Sequence, residues 1–224
     1  MKIPLSDRLQ ACCNFVRPGD RVADIGCDHG YLGIYLLKNG IAQWVIASDL
    51  REGPLQSAVK NSEKFGVRDK MTFYLSDGVR NIPREFDTLV CAGMGGDTMV
   101  SILSAAPWLR SEQYRLILQC QTKTAQLRKY LSENGWGIQK EIIIRDGKFL
   151  YTVMEVVRQA GYCLTPGQCY FPPALQSNPS DVLTAYYRYV VQGLENIVLN
   201  RKELADPFAA EALEELKETD PSAR

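Results

Sequence analysis

An acidic turn that contains two glycines lies near the N-terminus, between an apolar run and a helical segment. It reads Asp24-Ile25-Gly26-Cys27-Asp28-His29-Gly30. α/β proteins place nucleotide-like ligands at such a turn, where a buried strand leads into a helix. The D-x-G-x-D-x-G pattern differs from the G-x-G-x-x-G turn that binds a pyrophosphate. Two carboxylates beside the loop would repel a pyrophosphate.

Carboxylates at this turn suit a ligand that has a cationic centre and carries hydroxyl or amino donors. S-adenosylmethionine has a sulfonium, an ammonium group and a ribose. The turn therefore predicts a methyltransferase that uses this cofactor, with a first set of cofactor-binding residues at Asp24, Gly26, Cys27, Asp28 and His29. An NAD-dependent oxidoreductase is a competing interpretation, and the missing G-x-G-x-x-G pattern weighs against it.

Apolar runs alternate with helical patterns up to residue 134, which predicts a parallel sheet with helices on both faces. The predicted strands are Arg21–Ile25, Trp44–Ser48, Met71–Ser76, Thr88–Ala92 and Arg115–Gln119. The predicted helices are residues 4–15, Tyr31–Asn39, Gly53–Phe65, Asp97–Ala105 and Lys123–Asn134. Asp146-Gly147 then joins two β-rich runs, Trp136–Ile144 and Phe149–Val157, as an antiparallel hairpin. The whole pattern is typical of the Rossmann-like, seven-stranded sheet of class I methyltransferases.

The carboxyl ends of parallel strands share one edge of a sheet, and the second and third strands each end beside an aspartate. Asp49 and Leu50 follow the second strand, and an acidic side chain there reaches ribose hydroxyls. The alternative is that Asp49 caps the next helix. Asp77 and Gly78 follow the third strand, where the carboxylate would accept from an adenine amino group. The alternative there is a simple turn.

The fourth strand ends in a turn with three glycines, Ala92-Gly93-Met94-Gly95-Gly96. Glycine is entropically costly unless a backbone must approach another group closely. We therefore assign Ala92 and Gly93 to the cofactor site, and Gly93 and Met94 to the reacting end of the acceptor. Packing in the core is the alternative role for Met94.

The composition changes after Gly161, and we predict a methyltransferase domain at residues 1–160 and a linker with a helical, coiled-coil appendage at 161–224. Apolar residues follow a 4-3-4-3-4 spacing that ends in a charge, at Leu183, Tyr187, Val190, Leu194, Ile197 and Arg201. A short acidic helix at Phe208–Lys217 is expected to fold back on this segment. The seam closes within one chain or between two, so we expect a monomer or a weak dimer.

The charge balance permits a polyanionic partner without requiring one. Residues 203–224 hold seven acidic and two basic side chains, so the rest of this electrically neutral chain has a net charge of +5. The seven cysteines form no C-x-x-C pair and His29 is the single histidine, which predicts no metal site. Reduced cysteines and the lack of an apolar span indicate a cytoplasmic protein without membrane contact.

Three motifs together resemble the bacterial tRNA (adenine-22-N1)-methyltransferases, from about Leu5 to Val157. They are Ala23–Leu32, Ser76-Asp77-Gly78 and Ala92–Gly96. The resemblance implies S-adenosylmethionine as cofactor, tRNA as partner, N1-methyladenine as product and a C-terminal coiled-coil domain. Two positions depart from the family pattern. Gly33 stands where many members have proline, and Gln119-Cys120-Gln121 replaces Gln-Pro-Asn.

Adenine N1 has its own lone pair, so the reaction needs positioning rather than a strong base. Asp28 is the first candidate to stabilise the charge that develops on the ring, and capping of the next helix is its alternative role. Tyr31 is expected to stack on or border the base. Arg188, Arg201 and Lys202 are candidates for holding the tRNA backbone. Methylation of another RNA or a small molecule remains an alternative, as does a non-catalytic module that binds S-adenosylmethionine and RNA.

Overall fold

The computed structural model describes residues 2–200 and 206–218. Seven strands form one sheet, and their bounds are β1 Asp20–Ile25, β2 Ala42–Asp49, β3 Met71–Leu75, β4 Thr88–Gly95, β5 Arg115–Thr122, β6 Trp136–Asp146 and β7 Phe149–Arg158. Their order across the sheet is β3-β2-β1-β4-β5-β7-β6. The first five strands are parallel, and β7 is antiparallel to both β5 and β6. The predicted Rossmann-like architecture with a terminal hairpin is confirmed.

The helices lie between the strands and after the hairpin, at α1 Asp7–Cys13, α2 Tyr31–Lys38, α3 Glu52–Lys64, α4 Gly96–Ser104, α5 Thr124–Glu133, α6 Pro166–Tyr170, α7 Ser180–Asn200 and α8 Pro207–Glu218. The first helix is shorter than the predicted 4–15. Its N-terminal flank, Ser6, is extended, and Phe15 and Val16 hydrogen-bond three residues back rather than four. A proline at position 18 disfavours helical backbone in the residue before it, so the chain cannot continue as a helix.

Both faces of the sheet are buried, because side chains alternate along each central strand. On β1, Ala23 and Ile25 pack into one core cluster and Val22 packs into the other. On β5, Leu116 and Leu118 similarly lie on the opposite face from Ile117. The strands are therefore held on both faces, and their ends are fixed against helices.

The hairpin has longer strands than the sequence predicts. Asp146 pairs with Phe149, which leaves Gly147 and Lys148 as the loop. Gly147 has φ +61°, a conformation that glycine adopts without steric cost. The positive-φ position falls on the glycine, so the aspartate before it is free to complete the strand.

The two C-terminal helices pack on each other and on the edge of the sheet. Leu183, Tyr187 and Leu194 of the predicted seam are buried in one cluster with Leu213 of α8 and Ile143 of β6. Arg201 and Lys202 lie outside the described residues. α7 has 21 residues and α8 has only 12, so the two helices can pair only over the shorter length. The coiled-coil geometry stays a prediction.

A buried ion pair links the sheet to the segment after residue 160. Arg128 of α5 donates to Glu141 of β6 at 2.6 Å and to the carbonyl oxygens of Cys169 and Tyr170. It also reaches the hydroxyl of Tyr186 at 3.3 Å. The domain boundary at residue 160 stays a prediction, and this network shows that the two parts share a buried core. Within residues 2–200 and 206–218, no helix has the length and apolarity needed to cross a bilayer.

Candidate active site

A cavity of about 450 Å³ opens at the carboxyl ends of β1, β2, β3 and β4. This volume lies in the range of small-molecule and cofactor sites. Every residue that the sequence assigns to cofactor binding or catalysis lines it: Asp24, Gly26, Cys27, Asp28, His29, Tyr31, Asp49, Leu50, Asp77, Gly78, Ala92, Gly93 and Met94. The structure therefore brings together residues that are spread over 70 positions of the chain.

Asp24 is the most unusual carboxylate of the cavity. It is buried, and its Oδ2 has no hydrogen-bond partner among the described residues. Burial raises the pKa of Asp24 to about 7, the Gly33 N–H opposes this shift, and the charge of Asp49 adds to it. A buried, unpaired acceptor that lines a cavity suits a ligand that carries a donor or a positive charge.

The turn after β1 brings the backbone close to the ligand space. Gly26 has φ +72°, and a Cβ there would stand 2.1 Å from Cε of Met94. Asp28 adopts φ +49°, which is uncommon for a residue with a side chain. Met94 fills the space beside Gly26 and places its sulfur 3.3 Å from Sγ of Cys91. Met94 thus touches both the core and the cavity wall.

Asp28, His29 and Tyr31 form the mouth of the cavity. The side chain of Asp28 is 60% exposed, and His29 Nε2 lies 3.7 Å from its Oδ2. The rings of His29 and Tyr31 are 5.9 Å apart. Gly30 is the residue that flanks the start of α2, and no side chain caps that helix. Asp28 is therefore not a helix cap, and its carboxylate faces the opening.

Asp49 holds the β1 turn from the neighbouring strand. Its Oδ2 accepts the N–H of Asp28 at 3.1 Å and its Oδ1 accepts the N–H of Arg51 at 2.9 Å. Arg51, not Asp49, is the residue that flanks the start of α3. The capping alternative for Asp49 is thus replaced by a bridge between two loops. Each carboxylate oxygen keeps a second lone pair for a hydroxyl group.

The next loop presents a carboxylate and an apolar patch together. Ser76 Oγ donates to the carbonyl of Gly78 and accepts the N–H of Asn81, which fixes the turn around Asp77. Gly78 has φ +59° and lies against Ile102. Leu50 is 66% exposed although it is apolar. A flat ring with an amino group fits between such apolar side chains and the Asp77 carboxylate.

β4 continues to Gly95, beyond the predicted end at Ala92, so the glycine segment forms the end of the strand. It is anchored by residues that the sequence analysis missed. Gln119 Oε1 accepts the N–H of Gly93 at 3.0 Å and Nη1 of Arg8 at 3.1 Å. Arg8 also lies 3.5 Å from Asp146 at the hairpin tip. Other lining residues missed from the sequence are Leu9, Ile25, Leu32, Arg51, Ser76, Thr98 and Ile102. The apolar side of α1 was recognised, but nothing local to Arg8 indicates contact with a residue 111 positions away.

Comparison with known proteins identifies the family. Residues 5–154 match the methyltransferase-domain family. The tRNA (adenine(22)-N(1))-methyltransferase of Bacillus subtilis is 33% identical over 161 residues, which cover 71% of this chain and 67% of the relative. This chain belongs to the family of bacterial tRNA (adenine-22-N1)-methyltransferases. The resemblance inferred from the three motifs is confirmed.

Solved structures extend the likeness to almost the whole methyltransferase. Streptococcus pneumoniae Sp1610, a candidate tRNA (adenine-22-N1) methyltransferase in complex with S-adenosyl-L-methionine, is 29% identical with a TM-score of 0.81. The alignment covers 96% of this chain and 98% of that one. B. subtilis TrmK, an adenine-22-N1 tRNA methyltransferase, is 27% identical with a TM-score of 0.78, over 97% of this chain and 96% of that one. The C-terminal helices are therefore part of the shared fold.

The cavity of this methyltransferase fits S-adenosylmethionine on its own geometry. It offers the unpartnered Oδ2 of Asp24 for a positive charge. The half-engaged carboxylate of Asp49 is available to hydroxyl groups. Leu50 and Asp77 line the space for an adenine, and one oxygen of Asp77 also pairs with Arg80 at 3.2 Å. No group of three or more potential metal ligands occurs among the residues the structure describes.

Proposed function

We propose that this chain transfers a methyl group from S-adenosylmethionine to N1 of an adenine in tRNA, at position 22 as in its B. subtilis relative. The observation that carries the proposal is the buried, unpartnered Asp24 carboxylate at the head of a cavity that Asp49 and Asp77 complete. Membership of the tRNA methyltransferase family indicates that the methyl acceptor is tRNA.

In this proposal, three carboxylates each bind a different part of the cofactor. Bound S-adenosylmethionine supplies a methyl group on a sulfonium, and the carbon–sulfur electron pair leaves with sulfur when adenine N1 takes the methyl. Asp24 holds the positively charged methionine end from inside the cavity. Asp49 accepts the ribose hydroxyls, and Asp77 accepts the adenine amino group. Leu50 covers the adenine ring.

The target adenine enters at the mouth formed by Asp28 and Tyr31. Methylation puts a positive charge on the ring, and the Asp28 carboxylate stabilises that charge by accepting from the exocyclic amino group. Carbonyl groups of Ala92 and Gly93 are additional acceptors. Tyr31 borders the base, and Met94 beside Gly26 limits its depth. Catalysis then rests on holding N1 and the methyl carbon about 3 Å apart and aligned.

The substrate RNA must expose the pairing edge of the target. N1 is on that edge, so a paired adenine has to be flipped out at a cost of a few kcal/mol. The exposed Arg188 of α7 is our candidate contact for the phosphate backbone. We infer a cytoplasmic location from the tRNA substrate and from the free thiols of all seven cysteines.

Methyl transfer to defined RNA tests the proposal. The protein is incubated with labelled S-adenosylmethionine and unmodified bacterial tRNA transcripts, and the nucleosides are then analysed. We expect N1-methyladenine, and its loss when adenine 22 is replaced by guanine. Label in another nucleoside, or label that survives this replacement, would overturn the assignment of base or position. Binding of the cofactor without transfer to any RNA would favour the non-catalytic module.

A further inference from the structure

A second groove of about 550 Å³ lies on the far side of β5 from the cofactor cavity. Its walls are the carboxyl end of β5, the start of α5, residues 150–152 of β7 and one face of α7. The groove therefore lies between the end of the methyltransferase sheet and the C-terminal helix α7. None of the residues predicted from the sequence to bind cofactor or catalyse the reaction lines it.

The groove combines four tyrosines and four amide side chains with aliphatic residues such as Leu150 and Val190. Tyr151 and Tyr189 line it, and Tyr189 is 62% exposed. Gln126, Gln192 and Asn196 supply amide donors and acceptors along the same walls. Rings and amides are the combination that binds unstacked bases, because rings stack on any base and amides read its edge.

The charged side chains that line the groove already have partners. No aspartate or glutamate is among the described residues that line it, whereas Lys123 and Arg128 both do. Lys123 is paired with Asp97 at the rim. Arg128 is fully buried and paired with Glu141, and only its Nε has no hydrogen-bond partner among the described residues. A purely apolar peptide would leave the Arg128 Nε and the amides of the groove unsatisfied, whereas a nucleotide base offers donors and acceptors for them.

The groove also continues toward the reaction site. In the pairing of β4 with β5, Met94 of the cavity stands next to Cys120 of the groove. A Cβ at Gly93 would lie 3.7 Å from Nε2 of Gln121, a groove residue. The neighbouring ends of β4 and β5 therefore line the two spaces, one each, and a polynucleotide can pass from one space to the other.

We propose that this groove binds an unstacked nucleotide of the RNA substrate, next to the adenine in the transfer cavity. The base stacks on Tyr189 and faces the amides of Gln192 and Asn196, while Tyr151 closes the opposite wall. This inference rests on the proposed function, because it takes RNA to be the acceptor. It makes the groove a second contact that selects the substrate RNA.

The test is the affinity of Tyr189→Ala for an unmodified tRNA transcript, measured by fluorescence anisotropy with S-adenosylhomocysteine present. Loss of one stacked base raises the Kd by about 5- to 100-fold. Tyr189→Phe keeps the ring and is expected to bind within about twofold of the wild type. Affinity for S-adenosylmethionine, measured by calorimetry, is expected to be unchanged in both variants because Tyr189 does not line the cofactor cavity.

The matched control is Leu199→Ala, on the same helix, with 65% exposure and outside the groove. The groove is refuted if Tyr189→Ala binds the transcript like the wild type, or if Leu199→Ala loses as much affinity. Transfer assays separate this result from failure of the proposed function. If the wild type binds tRNA through Tyr189 but methylates no adenine, the groove proposal stands and the proposed reaction is wrong. If the wild type methylates adenine normally and Tyr189→Ala does not change the affinity for tRNA, the proposed reaction stands and the groove proposal is wrong.

Discussion

The two ends of β1 each carry a buried or half-buried aspartate, and the two are treated in opposite ways. Asp20, at the start, accepts from Arg115 Nη2 at 2.5 Å and from the hydroxyl of Thr88 at 2.6 Å. Asp24, at the end, keeps one oxygen without a partner, and burial raises its pKa to about 7. The neutralised carboxylate and the unsatisfied one are only four positions apart in the sequence.

Whether a buried carboxylate has a partner within the protein distinguishes the acids that stabilise the fold from those that bind a ligand. At the Asp20 edge, Arg115 also pairs with Glu155 of β7 at 3.2 Å, so the charges compensate one another inside the protein. At the Asp24 edge, no cation among the residues that the structure describes lies close enough to the buried carboxylate to lower its pKa. An uncompensated buried acid lowers stability, which points to a role in function. Substitutions at the two edges of the sheet test this difference.

The largest effect is expected from Arg115→Met, which leaves Asp20 and Glu155 without their buried partner. Removing one member of a buried ion pair costs about 3–5 kcal/mol, and we expect a fall in Tm on the order of 10 °C. Methyl transfer per folded molecule should not change, because Arg115 lies at the opposite edge from the cavity. Thermal denaturation and rates at low temperature measure the two effects.

Arg17→Met is the control for Arg115→Met. Arg17 lies 3.4 Å from the same Glu155, but its side chain is 69% exposed. Exposed pairs contribute about 0–1 kcal/mol, so this variant should lose little stability. Equal losses in the two variants would show that burial does not decide the strength of pairing at this edge.

At the other edge, Asp28→Asn should lower the turnover number about 100-fold and leave the Tm within about 2 °C. The loss has the size seen when one group that stabilises transition-state charge is removed. Asparagine tolerates the positive φ of this position, so the backbone keeps its conformation. The cofactor Kd, measured by calorimetry, should change little. A normal rate would exclude Asp28 from the reaction, and Asp69→Asn controls for loss of an exposed acid.

Asp24→Asn should weaken S-adenosylmethionine binding about tenfold at pH 8, because one ionic contact of the cofactor is lost. In the wild type, affinity should rise between pH 6 and pH 8, since the carboxyl group with a pKa of about 7 must ionise to hold a cation. The variant should show no such rise. Calorimetric titrations at both pH values measure this difference, and a parallel pH dependence in the variant would assign the rise to another group.

The stability of the cofactor-free protein should move in the opposite direction. A folded pKa above the usual 3.8 means that protonation of Asp24 stabilises the fold below pH 4, and that this stabilisation disappears as the pH rises through 7. Asp24→Asn avoids the buried charge and should therefore have the higher Tm at pH 8. A lower Tm at pH 8 would mean that Asp24 has a partner in the cofactor-free protein.

The sequence predicts the surroundings of Asp24 better than those of Asp20. Turns such as Gly26 and Gly93 are recognised locally, because their backbone conformation or close contacts leave room for little but glycine. Gly33 is a further case, since a Cβ there would lie 2.8 Å from Cγ1 of Val45. Its N–H also lowers the pKa of Asp24. A proline at position 33 would not supply this donor.

Pairing between distant side chains could not be predicted in this way. Arg115 and Asp20 are 95 positions apart, and Arg8 and Gln119 are 111 apart. Their partners depend on strand order and on which helix covers which strand end. Arg128 is a similar case, because a lone arginine on a predicted helix gives no sign that it becomes fully buried. The groove beside it was missed for the same reason.

The smallest effect is expected where pairing at the Asp20 edge reaches solvent. Arg21 holds Asp87 through two side-chain hydrogen bonds of 2.9 and 3.1 Å, and each side chain is more than 40% exposed. The Arg21 hydrogen bond lowers the pKa of Asp87, so its contribution to stability is present above pH 4 and is lost as the pH falls below that value. We expect a coupling of about 0.5 kcal/mol from a double-mutant cycle of Arg21→Met and Asp87→Asn at pH 7. It should decrease in 0.5 M salt, because screening acts on exposed charges. A coupling as large as the loss in Arg115→Met would show that exposure does not weaken pairing here, and would remove the physical basis for contrasting Asp20 with Asp24.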